Sequence, residues 1–182
     1  MKKTISMDVD DVCANLAEEW IRRYNNDYGD NLKPEDIKSW NISHYVSKQC
    51  GNAVYRYLED KSLYDSIRPT FGAVEGIQKL RKMNFRIVFT TSASLFMAGT
   101  KFDWLKRNGF EPTEKDYIEI RDKSFLNTDY MLDDRFDNVY NFPNTGILFS
   151  APWNERIIWK DRVNNWEQVV FYFYKRNKQQ QL

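Results

Sequence analysis

The amino-acid sequence predicts an α/β protein built on a mostly parallel β-sheet. Short apolar runs typical of buried strands recur along the chain, and segments with helical spacing of apolar residues lie between several of them. At 182 residues, the chain is also long enough for one domain with a hydrophobic core and a modest insertion. We therefore expect helices that cover a sheet whose strands mostly run in the same direction.

The first two elements are expected to be a strand and a helix. Residues 5–9 alternate between apolar and polar side chains and then run into acidic residues, as at the exit of a short strand. From Val12 to Tyr24, apolar residues recur every four positions, which predicts an amphipathic helix. Residues 24–34 are rich in Asn, Asp and Gly and are expected to form a loop.

A second unit is expected to follow the first strand. Residues 35–66 contain short amphipathic stretches with many aromatic residues and no clear strand, so we expect them to be mainly helical. The Pro-Thr-Phe-Gly sequence at residues 69–72 marks a boundary. We therefore assign residues 1–14 and 69–182 to the core domain and residues 15–68 to a helical insert.

The remainder of the chain alternates between helical and strand patterns. The order of these patterns favours parallel strands joined by helices. Helices are expected at residues 73–83, 101–108 and 166–174, strands at residues 85–90, 117–120, 130–132 and 146–149, and a frayed tail at residues 175–182.

Composition excludes several classes of protein. The 27 basic and 26 acidic residues leave a net charge of +1, so we expect no nucleic-acid partner. No apolar run approaches the roughly 20 residues of a membrane helix, and the basic N-terminus runs into acids without a signal-peptide core. Cys13 and Cys50 lack the spacing of a zinc or redox site and are expected to be reduced thiols. We therefore expect a cytoplasmic protein with no membrane partner.

Side chains that can bind metal or phosphate lie near the ends of four predicted strands. They are Asp8 and Asp10 after the first strand, Thr91 and Ser92 after the second, Arg121 and Lys123 near the third, and Asp133 and Asp134 after the fourth. Ligands of open α/β sheets collect at the carboxyl ends of the strands, so these side chains are expected to share one site. Carboxylate oxygens suit Mg²⁺, whereas lysine and hydroxyl donors suit the oxygens of a phosphoryl group.

The ordered set is more specific than any of its members. The chain contains sixteen Asp residues, so an Asp-x-Asp pair is common by chance, and a lone acid pair or lysine is usually solvated surface. The succession of a strand with an acid pair, a strand with Thr-Ser, a lysine, and a strand with an acid pair is much less common. This succession predicts phosphate chemistry at a Mg²⁺ site.

Three of these segments resemble motifs of the haloacid dehalogenase-like phosphatases. Residues 7–12 are similar to the first motif, residues 89–92 to the second and residues 131–135 to the fourth. Ile-Arg-Asp-Lys at residues 120–123 resembles the Thr-Arg-Asp-Lys stretch of the cytosolic and mitochondrial 5′(3′)-deoxyribonucleotidases, which carries the third-motif lysine. The resemblance to that family covers most of the chain and is weakest over residues 15–68.

The resemblance implies a Rossmann-like three-layer core with a small helical cap inserted after the first strand. It implies a Mg²⁺-dependent phosphomonoesterase that hydrolyses deoxyribonucleoside or ribonucleoside 5′-monophosphates through an aspartyl-phosphate intermediate. Asp8 would be the nucleophile and Asp10 the general acid and base. Mg²⁺ would bind Asp8, the Asp10 backbone carbonyl and Asp134, with Asp133 in support. The residues expected to bind phosphate are Thr91, Ser92, Lys123, Lys101 and Arg121.

The chain departs from this family at two positions. Asp11 stands where the family commonly has Gly, and could perturb the metal or point away from it. Leu16 stands near the position of an aromatic residue that stacks on the base, so base recognition cannot be carried over. Aromatic residues of the insert are the replacement candidates, although most of them are expected to pack in the core of the insert. These candidates are Trp40, Tyr45, Tyr55 and Tyr64.

Two other functions stay open from the sequence. The same chemistry could act on another small phosphorylated metabolite, with the aromatic residues of the insert purely structural. A phosphoaccepting regulatory protein also needs acidic residues, Thr and Lys on an α/β sheet. Asp10 argues against a regulator, because a general base two residues from the nucleophile promotes hydrolysis of the acyl phosphate. Whether the chain forms a homodimer is also left open.

Overall fold

The computed structural model describes residues 2–94, 97 and 99–179. The strands are β1 (Thr4–Asp8), β2 (Arg86–Thr91), β3 (Tyr117–Glu119), β4 (Tyr130–Asp133), β5 (Thr145–Phe149) and β6 (Arg162–Val163). The α-helices are α1 (Leu16–Tyr28), α2 (Leu63–Ser66), α3 (Ala73–Lys82), α4 (Thr100–Arg107), α5 (Phe136–Asn141) and α6 (Trp166–Gln179). Short 3₁₀ helices lie at Pro34–Asp36, Ile42–His44, Gly51–Glu59, Glu114–Asp116, Lys123–Phe125 and Pro152–Asn154.

The described strands form one parallel sheet in the order β3-β2-β1-β4-β5-β6. The chain winds outward from β1 in one direction and then in the other, which is the doubly wound, Rossmann-like arrangement. Helices α3, α4 and α6 share the main hydrophobic cluster with one face of the sheet, whereas α5 packs on β4 and β5. The predicted α/β class with a layered, parallel sheet is therefore confirmed.

The central strands are buried along almost their whole length because both faces of the sheet are covered. Strand β1 has four buried residues in succession, and all four residues of β4 are buried. Asp8 pairs with Thr90 in the register between β1 and β2, and Asp133 pairs with Leu148 between β4 and β5. The carboxyl ends of β1, β2 and β4 therefore meet at one edge of the sheet, as expected.

The first helix starts later than its periodicity predicts. Residues 9–14 form a turn in which the amides of Cys13 and Ala14 both donate to the carbonyl of Val9, so α1 begins only at Leu16. The helix then continues to Tyr28 and ends at Gly29, which has a positive φ of 64°. The predicted loop at residues 24–34 therefore begins about one turn too early.

Other differences from the predicted elements are in the second half of the chain. Helix α5 and the two-residue strand β6 have no counterpart in the prediction, because each is too short to show a period. Helix α6 continues to Gln179, so the start of the predicted frayed tail is helical.

Within the described residues, no helix is both long and apolar enough to cross a membrane.

The insert is helical, as expected, and combines the α-helices α1 and α2 with three 3₁₀ helices between them. Its side chains form a separate hydrophobic cluster, comprising Ala17, Ile21, Tyr24, Ile37, Ile42, Cys50 and Val54. Trp153, from the segment after β5, packs against this cluster. The last helix of the insert packs elsewhere, because Leu63 and Tyr64 of α2 belong to the main hydrophobic cluster of the core.

Cys13 and Cys50 are both buried and unpaired.

Helix α3 packs against Trp166 of α6 at Gly76, where a larger side chain does not fit. A Cβ atom at this position would lie 2.3 Å from Cε3 of Trp166. The Trp166 indole is itself fixed, since it is buried and donates a hydrogen bond to the carbonyl of Val12 at 2.9 Å.

We expect Gly76→Ala to destabilise the fold. The clash with Trp166 should outweigh the better helix propensity of Ala and lower the free energy of unfolding by about 1–3 kcal/mol. Urea unfolding followed by circular dichroism measures this change. Gln78→Ala, at an exposed position of the same helix, is the control and should change stability by less than about 0.5 kcal/mol. Equal stability of the two variants would contradict the packing argument.

Candidate active site

The carboxyl edge of the sheet brings together the side chains that the sequence singles out. Asp8 ends β1, Thr91 ends β2 and Asp133 ends β4, with Asp134 directly after it. Lys101 comes from the first turn of α4, and Lys123 from the 3₁₀ helix that follows β3. These residues, Asp8, Thr91, Lys101, Lys123, Asp133 and Asp134, are all buried.

Lys123 links the first strand to the fourth. Its Nζ lies 2.6 Å from Oδ1 of Asp8 and 2.6 Å from Oδ2 of Asp133. Burial opposes the charge of Lys123, but the two carboxylates outweigh burial and raise the pKa of the ammonium group above its usual value. Lys123 is therefore a fixed cation at the centre of the site.

Lys101 holds Asp10 and the end of β2. Its Nζ donates to Oδ2 of Asp10 at 2.5 Å, to Oγ1 of Thr91 at 2.9 Å and to the carbonyl of Ser92 at 2.6 Å. An ammonium group has three donors, and all three are engaged here. These contacts fix Asp10 beside Lys101, and the binding of phosphate by Lys101 stays a prediction.

Tyr64 is the second group that holds Asp10. Its hydroxyl donates to the other carboxylate oxygen of Asp10. Burial and the charge of Asp10 raise the pKa of Tyr64 well above its usual value, so the phenol keeps its proton and remains a donor. Tyr64 therefore contacts a residue of the site directly, whereas the sequence suggested it only as a candidate for base stacking.

The carboxylates of Asp133 and Asp134 differ in the number of hydrogen bonds that they accept. Asp133 accepts from Lys123, from the amide of Arg135 at 2.8 Å and from the side-chain amide of Asn138 at 3.1 Å to each oxygen. For Asp134, the described residues offer one donor, the indole N–H of Trp153, at 2.8 Å from Oδ2. Asp134 is therefore the carboxylate with an oxygen left for a ligand, whereas Asp133 mainly orients its neighbours.

The donor set fits a hard divalent cation. Asp8, Asp133 and Asp134 each offer an oxygen, and these atoms lie within 4.8 Å of one another. Counting Asp10, four carboxylates face the two ammonium groups of Lys101 and Lys123, which leaves two negative charges without a partner. Burial raises the pKa of Asp8 to about 7 and that of Asp134 well above its usual range, and neighbouring carboxylates add to both shifts. Mg²⁺ matches both the charge and the ligand chemistry.

Asp11 has a structural role that explains its position. Its φ is +53°, a left-handed conformation in which Gly is the usual residue. The Asp11 carboxylate accepts the amide of Ala17 at 2.8 Å and thereby caps the start of α1. Burial raises the pKa of Asp11 to about 8.

A cavity of about 510 Å³ opens beside the carboxylates, between the sheet edge and the insert. Trp40, Tyr55 and Tyr64 line it, whereas Tyr45 packs against the hydrophobic cluster of the insert. Asp10, Ser92, Lys101 and Arg121 also line the cavity, but the hydroxyl of Ser92 donates to the carbonyl of Ile120 at 3.2 Å. Arg121 is exposed.

Several lining residues are absent from the expectations based on sequence. Trp20, Arg135 and Trp153 line the cavity, and Asn138 supports Asp133 from α5. Arg135 follows the acid pair after β4, and Trp153 follows the end of β5. Both residues therefore lie near the carboxyl ends of strands, where ligands of such sheets bind, and their position in the sequence is a signal for the site. Trp20 and Asn138 lie on helices, and nothing in their spacing distinguishes them from other helical residues.

Sequence comparisons match one family over nearly the whole chain. Residues 2–180 match the family model described as 5′ nucleotidase, deoxy (pyrimidine), cytosolic type C protein. The chain is 32% identical over 175 residues to a 5′(3′)-deoxyribonucleotidase of Bacillus subtilis (93% of this chain, 97% of the relative). It is 29% identical over 154 residues to a 5′(3′)-deoxyribonucleotidase of Clostridium acetobutylicum, covering 85% of each.

Solved structures share the fold at low sequence identity. A haloacid dehalogenase (HAD) hydrolase of Bacillus subtilis, solved bound to magnesium, superposes with a TM-score of 0.62 at 15% identity, covering 95% of this chain and 99% of that one. A HAD family hydrolase of Deinococcus radiodurans, solved with bound phosphate and sodium, gives a TM-score of 0.63 at 10% identity, with 96% of each chain covered. These likenesses confirm the expected haloacid dehalogenase-like fold.

The charge imbalance at the site makes metal-free stability depend on pH. The pKa of Asp134 is higher in the folded than in the unfolded chain, so its stabilising contribution is present at low pH and is lost as pH rises through the folded-state value. Asp134→Asn removes the buried charge and should raise the metal-free Tm at pH 8. A gain of 1 kcal/mol corresponds to about 2–4 °C for a chain of this size.

Thermal unfolding in EDTA at several pH values between 4 and 8 measures the effect. The difference in Tm between Asp134→Asn and the parent should shrink toward pH 4, where both side chains are neutral in the folded state. Asp103→Asn, at an exposed position on α4, should leave Tm unchanged across the range. A Tm difference that is constant with pH would contradict the electrostatic origin.

Proposed function

Because the chain belongs to the deoxy (pyrimidine), cytosolic type C family of 5′ nucleotidases, we propose that it hydrolyses deoxyribonucleoside or ribonucleoside 5′-monophosphates to nucleoside and phosphate with Mg²⁺. The observation that carries this proposal is that two carboxylates, Asp8 and Asp10, lie at the same edge of the sheet and are each held by different side chains. Lys123 holds the first carboxylate, Lys101 and Tyr64 hold the second, and Asp10 lines the cavity. A nucleophile and a separate group for proton transfer are what a two-step phosphoryl transfer needs.

Asp8 is the proposed nucleophile. One of its oxygens accepts from Lys123, and the other accepts no hydrogen bond from the described residues. Attack on the substrate forms the bond between this oxygen and phosphorus, and the bond from phosphorus to the 5′-oxygen of the nucleoside breaks. Lys123 uses two of its three donors on Asp8 and Asp133, so its third N–H is available to a phosphoryl oxygen.

Asp10 transfers the proton in both steps. It first protonates the leaving 5′-oxygen. It then takes a proton from the water that attacks the phosphorus on Asp8, and the bond between phosphorus and Asp8 breaks to release phosphate and restore the carboxylate. Lys101 and Tyr64 stabilise the carboxylate that remains after the first transfer, and they fix its orientation toward the cavity. Thr91 accepts from Lys101, so its own hydroxyl hydrogen is free for the phosphoryl group.

The proposed metal ligands are Asp8, Asp134 and the backbone carbonyl of Asp10, with Asp133 in support. When bound there, Mg²⁺ supplies positive charge to the phosphoryl oxygens and aligns them with the nucleophile. The protein itself contributes the orientation of the carboxylates, since Lys123 holds both Asp8 and Asp133.

Residues 15–68 form the proposed cap, which closes the cavity over the nucleoside. Trp40 is 50% exposed and lines the cavity, and it is our candidate for stacking on the base, with Tyr55 beside it. Ser92 and Arg121 remain proposed contacts of the phosphate at the edge of the cavity. We place this activity in the cytoplasm, where unpaired Cys13 and Cys50 would remain reduced.

We expect Asp8→Asn to abolish turnover, because the amide cannot form the covalent intermediate. Asp10→Asn should lower kcat by about 10²–10⁴-fold, since it removes proton transfer. Steady-state phosphate release at saturating Mg²⁺ measures both effects, and circular dichroism checks the fold. Asp103→Asn, which removes an exposed carboxylate, should retain full activity. Wild-type activity in Asp8→Asn would overturn the assignment of the nucleophile.

The substrate class is tested by phosphate release from deoxyribonucleoside monophosphates, ribonucleoside monophosphates and sugar phosphates, with Mg²⁺ or with EDTA. We expect release from nucleotides in Mg²⁺, no release in EDTA, and a preference for nucleotides over sugar phosphates in kcat/KM. The aromatic lining of the cavity is the reason for this preference. Equal kcat/KM values for sugar phosphates and nucleotides would instead support a phosphatase of another small metabolite.

A further inference from the structure

Trp153 is a residue of the core that reaches both the candidate metal site and the insert. Its indole N–H donates to Oδ2 of Asp134 at 2.8 Å. The same ring packs edge-on against Trp40, with the ring centres 5.6 Å apart, and it lines the cavity. No step of the proposed reaction uses this side chain, so its hydrogen bond to a buried carboxylate needs an explanation.

The segment that carries Trp153 is fixed to the same part of the sheet. Asn154 is buried, and its side-chain amide donates to the backbone carbonyl of Asp134 at 2.7 Å and to that of Phe149 at 2.8 Å. Arg162 in turn donates to the side-chain oxygen of Asn154 at 2.9 Å. The indole is therefore held against Asp134 by the fold, since its neighbour binds the backbone of that residue.

The hydrogen bond from Trp153 restrains the carboxylate of Asp134. Asp133 is oriented by Lys123, Arg135 and Asn138, whereas the described residues give the Asp134 carboxylate only the Trp153 indole. One Asp134 oxygen is thus occupied, and rotation of the carboxylate is restrained. A group that orients a metal ligand in this way commonly changes metal affinity by about 10–100-fold when it is removed.

We propose that Trp153 is a positioning residue that orients Asp134 for Mg²⁺ and so sets the metal affinity of the site. The inference rests on the proposed metal site at Asp8 and Asp134. Because the ring that donates to Asp134 also touches Trp40 and faces the cavity, the orientation of this metal ligand depends on a contact between the core and the insert.

The test compares Trp153→Phe, which keeps an aromatic ring and loses the N–H, with the parent chain. The probe is Mn²⁺ alone, and its Kd is measured from the free Mn²⁺ signal in electron paramagnetic resonance. We expect the Kd to rise about tenfold or more. In activity assays, the half-saturating Mg²⁺ concentration should rise by a similar factor.

Trp159→Phe is the matched control. Trp159 is also half-buried and donates its indole N–H, at 2.9 Å, but to the carbonyl of Gly146 and away from the cavity. This variant should bind Mn²⁺ as the parent does. Tm is measured for each variant with and without Mn²⁺, because a purely structural role for Trp153 would lower the metal-free Tm and leave the Mn²⁺ Kd unchanged.

Asp134→Asn separates failure of the inference from failure of the proposed site. If Asp134→Asn weakens Mn²⁺ binding and Trp153→Phe does not, the positioning role of Trp153 is overturned and the metal site stands. If Asp134→Asn binds Mn²⁺ as tightly as the parent, the proposed site is wrong, and the inference is overturned with it.

Discussion

The buried ammonium group of Lys123, between the carboxylates of Asp8 and Asp133, is the interaction on which the rest of the site depends. It joins the ends of two neighbouring strands, β1 and β4, to the 3₁₀ helix after β3. Burying charges costs several kcal/mol per ion unless each charge has close partners, so this arrangement is tolerated only with both contacts in place. The same contacts fix the nucleophile candidate and the carboxylate that orients Asn138 and the start of α5.

A second buried lysine extends this arrangement toward the insert. Lys101 ties Asp10 to the end of β2, and Tyr64 of the insert reaches the same carboxylate. Asp11, next in the chain, caps α1. The turn at residues 9–14 thus links the sheet edge, the first helix of the insert and the proposed proton-transfer residue, and small movements of any one of them would displace Asp10.

Aromatic residues make up 16% of the chain, and the tryptophans among them have two different roles. Trp104 and Trp166 are buried in the core and donate their indole N–H groups to the carbonyls of Ile67 and Val12. Trp40 and Trp153 instead form part of the cavity wall between the core and the insert. An indole combines a large apolar surface with one donor, which suits both positions.

The sequence by itself determined the fold class, the five longer strands and the residues at the strand ends, because buried parallel strands are continuous apolar runs and their polar exits stand out. It could not give the left-handed turn at Asp11, the late start of α1 or the short elements α5 and β6, which depend on hydrogen bonds rather than on periodicity. Only the tertiary structure decided how each predicted side chain is used. Lys101 has all its donors engaged, Tyr64 binds Asp10, Tyr45 packs in the insert and Trp153 reaches Asp134. The physical reason is that Lys101 and Asp10 lie 91 positions apart in the chain, Tyr64 and Asp10 54, and Trp153 and Asp134 19, and no local pattern records which distant partner a side chain will meet.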